Sequence, residues 1–413
     1  MQRKSINKIT FASAFGTFFE WYDFLIYGTA AALVFNKIFF PNIDPVAGML
    51  AAILTWSMGF IARPIGAVVF GYFGDKYGRR NTLMATMLLM GLSTFAVGCL
   101  PTYADIGIWA AVLLISLRLI QGMAFGGEWS GASLMISENT KNKSGFYGSF
   151  IQAGYPAGIL AASFIYALLT QLPQDAFMSW GWRIPFWISL VLVAVGTFIR
   201  ARLAETPVFE QVQARDEVVN VPVKEVLTTH FKTMLTGVGV KITEVTWAYT
   251  LTVSFVIYAV NTMGMTRSDV MNNVFVAATI MMFAIPMFGY LADRIGHRTF
   301  YKIRAVVSAM IAYPVFYLLS VGDLMPAMIL GLVFGGGFMM APLAAYLPSL
   351  FAANVRYTGS SLSNQIAAAI GGGIIPSISA WVISIGGLTA ISLLMIALSA
   401  ITLGAVLVSR PVE

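Results

Sequence analysis

Seven ionisable side chains lie inside stretches that are otherwise strongly apolar: the acids Glu20, Asp23, Glu128 and Glu244 and the bases Arg63, Arg118 and Lys241. A charge facing lipid near the middle of a membrane-spanning helix costs about 2.5 to 3.5 kcal/mol, so seven would cost on the order of 20 kcal/mol. They must therefore face one another or a wet internal cavity. Four acids against three bases leaves one carboxylate with no fixed cation, which predicts a carboxyl group that takes up and releases a proton. Glu20 and Asp23 are three residues apart and share a helix face. Two carboxylates that close disfavour joint ionisation, so one of them holds a proton near neutral pH. Tyr27, four residues after Asp23, adds a hydroxyl. The structural alternative is an ion pair with Arg63 or Arg118.

Arg118 opens the run Arg118-Leu-Ile-Gln121-Gly122. Its planar guanidinium stays charged and suits a carboxylate, either Glu20, Asp23 or an anionic substrate, with Gln121 on the same side one turn away. Lys241 and Glu244 form a second pair at i, i+3, with Trp247 one turn on. Lys241 can bind a substrate anion while Glu244 orients it or carries the proton, although a purely internal Lys–Glu pair would also satisfy both. Glu128 lies ten residues beyond Arg118, about 15 Å along a helix, and is expected to partner loop arginines in gating. The coupling ion implied is H+, with no cofactor. His230 and His297 are the only histidines and fall outside the apolar spans, so no metal-ligand cluster is expected. Cys99 has no disulfide partner and is expected to pack as a small apolar residue.

The elements that must hold these groups follow from composition. Hydrophobic residues make up 58% of 413 positions, charged residues 10%, and mean hydropathy is +0.79, against roughly 25% charged in a soluble domain. The sequence predicts an all-α polytopic membrane protein with twelve transmembrane helices in two pseudo-symmetric six-helix bundles. The spans fall near 10–34, 48–72, 82–100, 106–136, 146–170, 184–201, 233–260, 270–291, 301–320, 325–347, 358–383 and 387–408. The basic start followed by apolar sequence is a first span rather than a secretory signal, because it runs on for a full span and carries Glu20 and Asp23.

The net charge of +7 does not point to nucleic acid, because the bases gather on one side of the spans. Even-numbered connections and the termini hold Lys76, Arg79, Arg80, Arg200, Arg202, Arg294, Arg298, Lys302 and Arg304 among others, whereas odd-numbered connections hold Lys37, Arg183 and Arg267. By the positive-inside rule both termini and the central loop are cytoplasmic. A polar stretch at 203–231 divides a first bundle, 1–202, from a second, 232–413. There Pro207 is expected to end the sixth helix and Glu205 to pair with nearby arginines.

A charged turn occurs twice, 218 residues apart: Gly71-Tyr-Phe-Gly-Asp75-Lys-Tyr-Gly78-Arg79-Arg80 and Gly289-Tyr-Leu-Ala-Asp293-Arg294-Ile-Gly296-His297-Arg298. Such a repeat marks a duplicated transporter. The pattern resembles the loop signature of the major facilitator superfamily, whose role is control of the cytoplasmic gate; the resemblance implies gating by Gly71, Asp75, Gly78, Arg79 and Arg80 and by Asp293, Arg294, Gly296 and Arg298. Two glycine runs, 335–337 and 371–373, lack the lysine of a phosphate loop and are read as sites of close helix approach or bending. Pro64, Pro156, Pro286, Pro314, Pro342 and Pro376 are expected to kink their spans.

Arg118-Leu-Ile-Gln121-Gly122 resembles a second motif of that superfamily, and further segments resemble one of its branches, the bacterial metabolite:proton symporters: Glu20-Trp-Tyr-Asp23-Phe24, Ala62-Arg63-Pro64-Ile-Gly66, Gly126-Gly127-Glu128-Trp129, Trp180-Gly-Trp182-Arg183-Ile-Pro185-Phe186 and Glu205-Thr-Pro207-Val-Phe209. The resemblance implies symport of a small organic anion or zwitterion with a proton across a bacterial inner membrane, coupled at the first-helix carboxylates with Arg118 nearby. Known members carry shikimate, 2-oxoglutarate, citrate and other carboxylates, or proline and betaine. The long C-terminal helix of the osmosensing carriers is absent, which favours the carboxylate reading. Selectivity in spans ten and eleven falls to Tyr346, Asn364 or Gln365. A monomer is expected. Proton-driven efflux is the alternative within transport; an intramembrane enzyme lacks a nucleophile–base pair at depth, and a sensor of the same fold would bind without moving its ligand.

Overall fold

A computed structural model describes residues 2–42, 44–140 and 142–412, and no β-strand occurs among them. Six spans form the first half: α1 (Gln2–Ala30, continued by a π-helical turn Ala31–Phe35), α2 (Pro45–Tyr77), α3 (Arg79–Cys99), α4 (Ile108–Ser137), α5 (Ser144–Leu169) and α6 (Ile184–Ala201). The second half opens with α7 (Phe231–Tyr249, then a π turn Thr250–Ser254 and Phe255–Asn261), α8 (Arg267–Ile295) and α9 (His297–Ser320). In α10, Leu324–Met340 meets Leu343–Ser349 at a bend of 42°. α11 begins at Arg356–Ala368 and passes through a π segment Ala369–Ile374. The last helical stretch, Ile375–Val408, is broken at Gly387, where φ is 62°, so residues 388–408 form α12.

The interruptions answer to the sequence. The bend in α10 sits at Pro342, and both glycine runs lie inside π segments, Ile329–Gly337 and Ala369–Ile374. There Gly335 lies against the Trp247 indole and Gly371 against Val245, so the runs let α10 and α11 close on α7. Pro64, Pro156, Pro286 and Pro314 break nothing: α2, α5, α8 and α9 run through them uninterrupted. Pro207 opens a short helix instead of ending α6, with Thr206 as its N-cap accepting the Phe209 N–H at 3.3 Å. Cys99 is exposed at the end of α3 and does not pack inward as expected.

Among the described residues, eight helices are long and apolar enough to cross a membrane, nine with bent α10. Three spans concentrate polar side chains along part of their length: α1, α7 and α11. These carry Glu20 and Asp23, Lys241 and Glu244, and the polar run Ser360, Ser361, Ser363, Asn364 and Gln365, all of them buried. A helix too polar for lipid must turn its polar stripe inward; the chain spends that polarity around its centre.

Candidate transport site

Between the halves lies a small cavity with about 50 Å³ open to water-sized molecules, lined by Glu20 (α1), Arg63 (α2), Trp129 (α4), Gln152 and Tyr155 (α5), Lys241, Glu244 and Tyr249 (α7), and Asn364 and Gln365 (α11). Arg63 is its most unusual member. The guanidinium sits 4.7–4.9 Å from the ring centroids of Phe24, Phe60 and Phe125, makes no ion pair, and leaves Nε and one terminal nitrogen without hydrogen-bond partners. Glu20 Oε2, Asn364 Oδ1 and Gln365 Oε1 are likewise buried and unpartnered. Lys241 Nζ lies 3.2 Å from Glu244 Oε2, close enough for an ion pair, yet Oε2 accepts no aligned hydrogen bond. Trp129 donates to Gln152 at 2.8 Å, and Gln152 donates to the Met340 carbonyl at 3.2 Å, joining the halves.

The two first-helix carboxylates do not act as a pair. Glu20 lines the cavity, whereas Asp23 is fully buried within the first half, where Gln121 Nε2 approaches it at 3.4 Å while donating to Thr94 at 2.8 Å. Arg118 forms no ion pair with either acid. It lies over the Tyr27 ring at 4.3 Å, contacts Gln121 Oε1 at 3.4 Å and leaves Nε unpartnered. Tyr27 donates to Thr55 at 2.9 Å. Arg118, Gln121 and Tyr27 therefore sit behind the cavity wall with Asp23, not on it as expected of substrate contacts. Trp247 leaves the site too: it is wholly buried, donates to Ser308 at 2.7 Å and stacks on Phe316.

Glu128 finds an arginine that the sequence assigns to a connection, but inside the helices. It pairs with Arg200 near the end of α6 and accepts from Thr86 at 2.7 Å; Arg200 also donates to the Leu83 carbonyl at 2.9 Å. Arg200 and Arg304, assigned to loops by the sequence, are buried inside the helices. The real α9 begins at His297, four residues before the expected span, which carries Arg304 two turns in. Within the spans the balance of buried charge then reverses: five cations (Arg63, Arg118, Arg200, Lys241, Arg304) face four carboxylates (Glu20, Asp23, Glu128, Glu244) among the described residues, while at the first signature Arg79 meets Asp75 and the buried Glu138 carboxylate. The expected surplus acid is a surplus cation. Within the spans the first half is balanced, three against three; the second holds Lys241 and Arg304 against Glu244.

At one end of the molecule the repeated signatures clasp the opposite halves. Asp75 accepts the backbone N–H groups of Tyr357 (3.1 Å) and Thr358 (2.9 Å) at the start of α11, and Asp293 accepts those of Gly145 and Phe146 (both 2.8 Å) at the start of α5. Each carboxylate meets the positive end of a helix. A Cβ on Gly71 would lie 2.8 Å from Thr358 Oγ1, and one on Gly289 2.7 Å from Ser149 Cβ, so glycine lets the halves touch. Gly78 and Gly296, with φ of 106° and 85°, make the sharp turns that follow. Arg79 reaches the Ala353 carbonyl of the other half at 2.8 Å. Other basic members stay within their own half. Arg80 donates to the Ala201 carbonyl at 2.5 Å while its backbone N–H, not its guanidinium, meets Glu205; Arg298 donates to Leu407 at 2.7 Å, and exposed Arg294 rests on Tyr290.

Two clasped halves around a closed polar cavity define a membrane transporter. Residues 13–376 match the family model of the Major Facilitator Superfamily, and the chain belongs to that family. It is 40% identical over 98% of its length, and 94% of the relative's, to an inner membrane metabolite transport protein, YhjE, of Escherichia coli, and 37% identical over 89% (86% of the relative) to the shikimate transporter of the same organism. The solved structure of a proton:xylose symporter, XylE, bound to 6-bromo-6-deoxy-D-glucose superposes with a TM-score of 0.79 at 16% identity, covering 98% of this chain and 95% of that one. The protein is a multi-pass bacterial membrane transporter of small molecules, not an enzyme.

Proposed function

We propose that this transporter imports a small organic carboxylate together with a proton by alternating access of its two halves. Arg63 carries the reading: a buried guanidinium in the cavity, with no acidic partner and two nitrogens free, is built for an anion. The surplus buried cation and the shikimate carrier among its relatives support the same substrate class. Lys241, Asn364 and Gln365 offer the ligand contacts from the second half, so one molecule bridges both.

Glu20 supplies the coupling. An ionised Glu20 and a ligand carboxylate in so small a space repel each other, so protonating Glu20 removes the repulsion and the two cargoes load together. Asp23, with Arg118 and Gln121, responds behind the wall. A monoanion moving with one proton is electroneutral and draws only on the pH gradient, about 1.4 kcal/mol per unit. The signature clasps close the end that the distribution of bases makes cytoplasmic. Liposomes holding purified protein should accumulate labelled shikimate or another monocarboxylate under an inward proton gradient and lose it with a protonophore; Glu20→Gln should exchange substrate but not concentrate it. Accumulation of a zwitterion such as proline with no carboxylate taken up, or export driven by an inward gradient, would overturn the reading.

A further inference from the structure

Arg304 is a buried charge that no step above uses. It is wholly inaccessible, its guanidinium stacks on Tyr301 at 3.1 Å, and it pairs with no acid; Nε and one terminal nitrogen have no partner. Its single hydrogen bond, at 3.3 Å, runs to the carbonyl of Val240 on α7. Val240 and Glu244 are four residues apart and lie one above the other on the same helix face. Glu244 is the carboxylate on that face of α7, and its Oε2 lacks an aligned hydrogen bond despite the nearby Lys241.

We infer that Arg304 is a positioning residue that takes over Glu244 when a substrate anion claims Lys241, so that Glu244 moves between two cations on its flanks. With the cavity empty, Lys241 and Glu244 neutralise each other. A ligand carboxylate at Lys241 would leave Glu244 ionised, buried and repelling it unless a second cation received the acid. Arg304 is that cation, held one helical turn away and kept from solvent by Tyr301, which stacks on Tyr346 at 4.4 Å. The substrate half of this inference rests on the carboxylate reading; the exchange itself does not.

Two sets of measurements separate them. Without ligand, Lys241→Met and Arg304→Met should each lower the unfolding temperature in detergent slightly, because the other cation still holds Glu244. The double variant strands a buried carboxylate and should melt about 5 °C or more below the sum of the single effects, and Glu244→Gln should abolish that excess. Additive shifts, or an excess that survives Glu244→Gln, would overturn the exchange whatever the substrate is. In vesicles with labelled shikimate, Arg304→Met should raise KM about tenfold with little change in kcat, Glu244→Gln in the same chain should restore KM, and Arg304→Lys should stay within about threefold of the parent. An unchanged KM in Arg304→Met, or no rescue, would sink the exchange. Failure of the parent protein to take up any carboxylate would instead sink the proposed function and leave the melting result to decide the exchange.

Discussion

The two halves solve one architectural problem with different chemistry. The 218-residue shift that superposes the signatures also carries Thr86 onto Arg304, Glu128 onto Tyr346 and Arg79 onto His297. In the first half, Thr86, Glu128 and Arg200 form a closed ion-pair network joining α3, α4 and α6. At matching places in the second, Tyr346 hydrogen-bonds Ser409 at 2.6 Å, and Arg304 stacks on Tyr301 with no carboxylate beside it. Within its spans the first half thus holds as many buried acids as bases, whereas the second holds one base more. The two halves repeat the scaffold but not these residues.

Breaking the first network should have the largest effect. Glu128→Gln strands Arg200 and should cost about 3 to 5 kcal/mol, seen as a large drop in unfolding temperature in detergent, and Glu128→Gln with Arg200→Met should regain most of it. Tyr346→Phe removes only a neutral hydrogen bond and should cost about 1 kcal/mol. Equal losses at the two positions would erase the contrast between the halves.

The cavity cation and the arginine behind the wall should differ in kind. Arg63→Gln should raise the KM for a carboxylate about a hundredfold, and Arg63→Lys about tenfold, because a point charge replaces a planar fork. Arg118→Lys should lower kcat about tenfold with KM nearly constant, since Arg118 touches Gln121 and Tyr27 instead of the cavity. A KM effect from Arg118→Lys matching that of Arg63→Lys would place both arginines on the ligand.

Much of this was legible in the residues. Twelve spans, the duplicated turn and the glycine runs all follow from hydropathy and spacing, since membrane solvation penalises any other arrangement. Glu20, Arg63, Lys241 and Glu244 were recognisable as inward charges on the same ground. What escaped is lateral. Spacing along α1 puts Glu20 and Asp23 on one face but does not show that α7 borders the first residue and α3 and α4 the second. Gln152 and Tyr155 carried no signal, being neutral side chains in apolar helices, and Trp129 entered only as a member of a motif, with no role attached. Arg200 and Arg304 were misplaced because a base near a span end was taken as part of the loop: Arg200 lies in the last turn of α6, and α9 begins four residues earlier than expected, which carries Arg304 two turns in.

The clasps sharpen the comparison further. Asp75 sits in a crowd: Arg79 lies 3.4 Å away, and Glu138 links Arg79 and Arg356, each at 3.6 Å. Asp293 has only His297, at 3.0 Å. Asp75→Asn should therefore shift the closed-to-open equilibrium of this end by about 2 to 3 kcal/mol and Asp293→Asn by about 1 to 2 kcal/mol, read from spin-label distances across the α2–α11 and α5–α8 contacts.

The smallest expected effect tests whether that inequality matters. His297 stands where the first clasp has Arg79, and its ring Nε2 meets Asp293 Oδ1 at one point where a guanidinium offers a fork. His297→Arg would make the two clasps alike. If the weaker clasp is the one that releases first, His297→Arg should slow transport two- to threefold at saturating substrate without altering KM, because only the opening step changes. The converse, Arg79→His, should speed opening but also leave Glu138 short of a partner, so it should destabilise the resting protein as well. A transporter indifferent to His297→Arg would mean that α2 and α11, not α5 and α8, part first, and that the stronger clasp sets the rate.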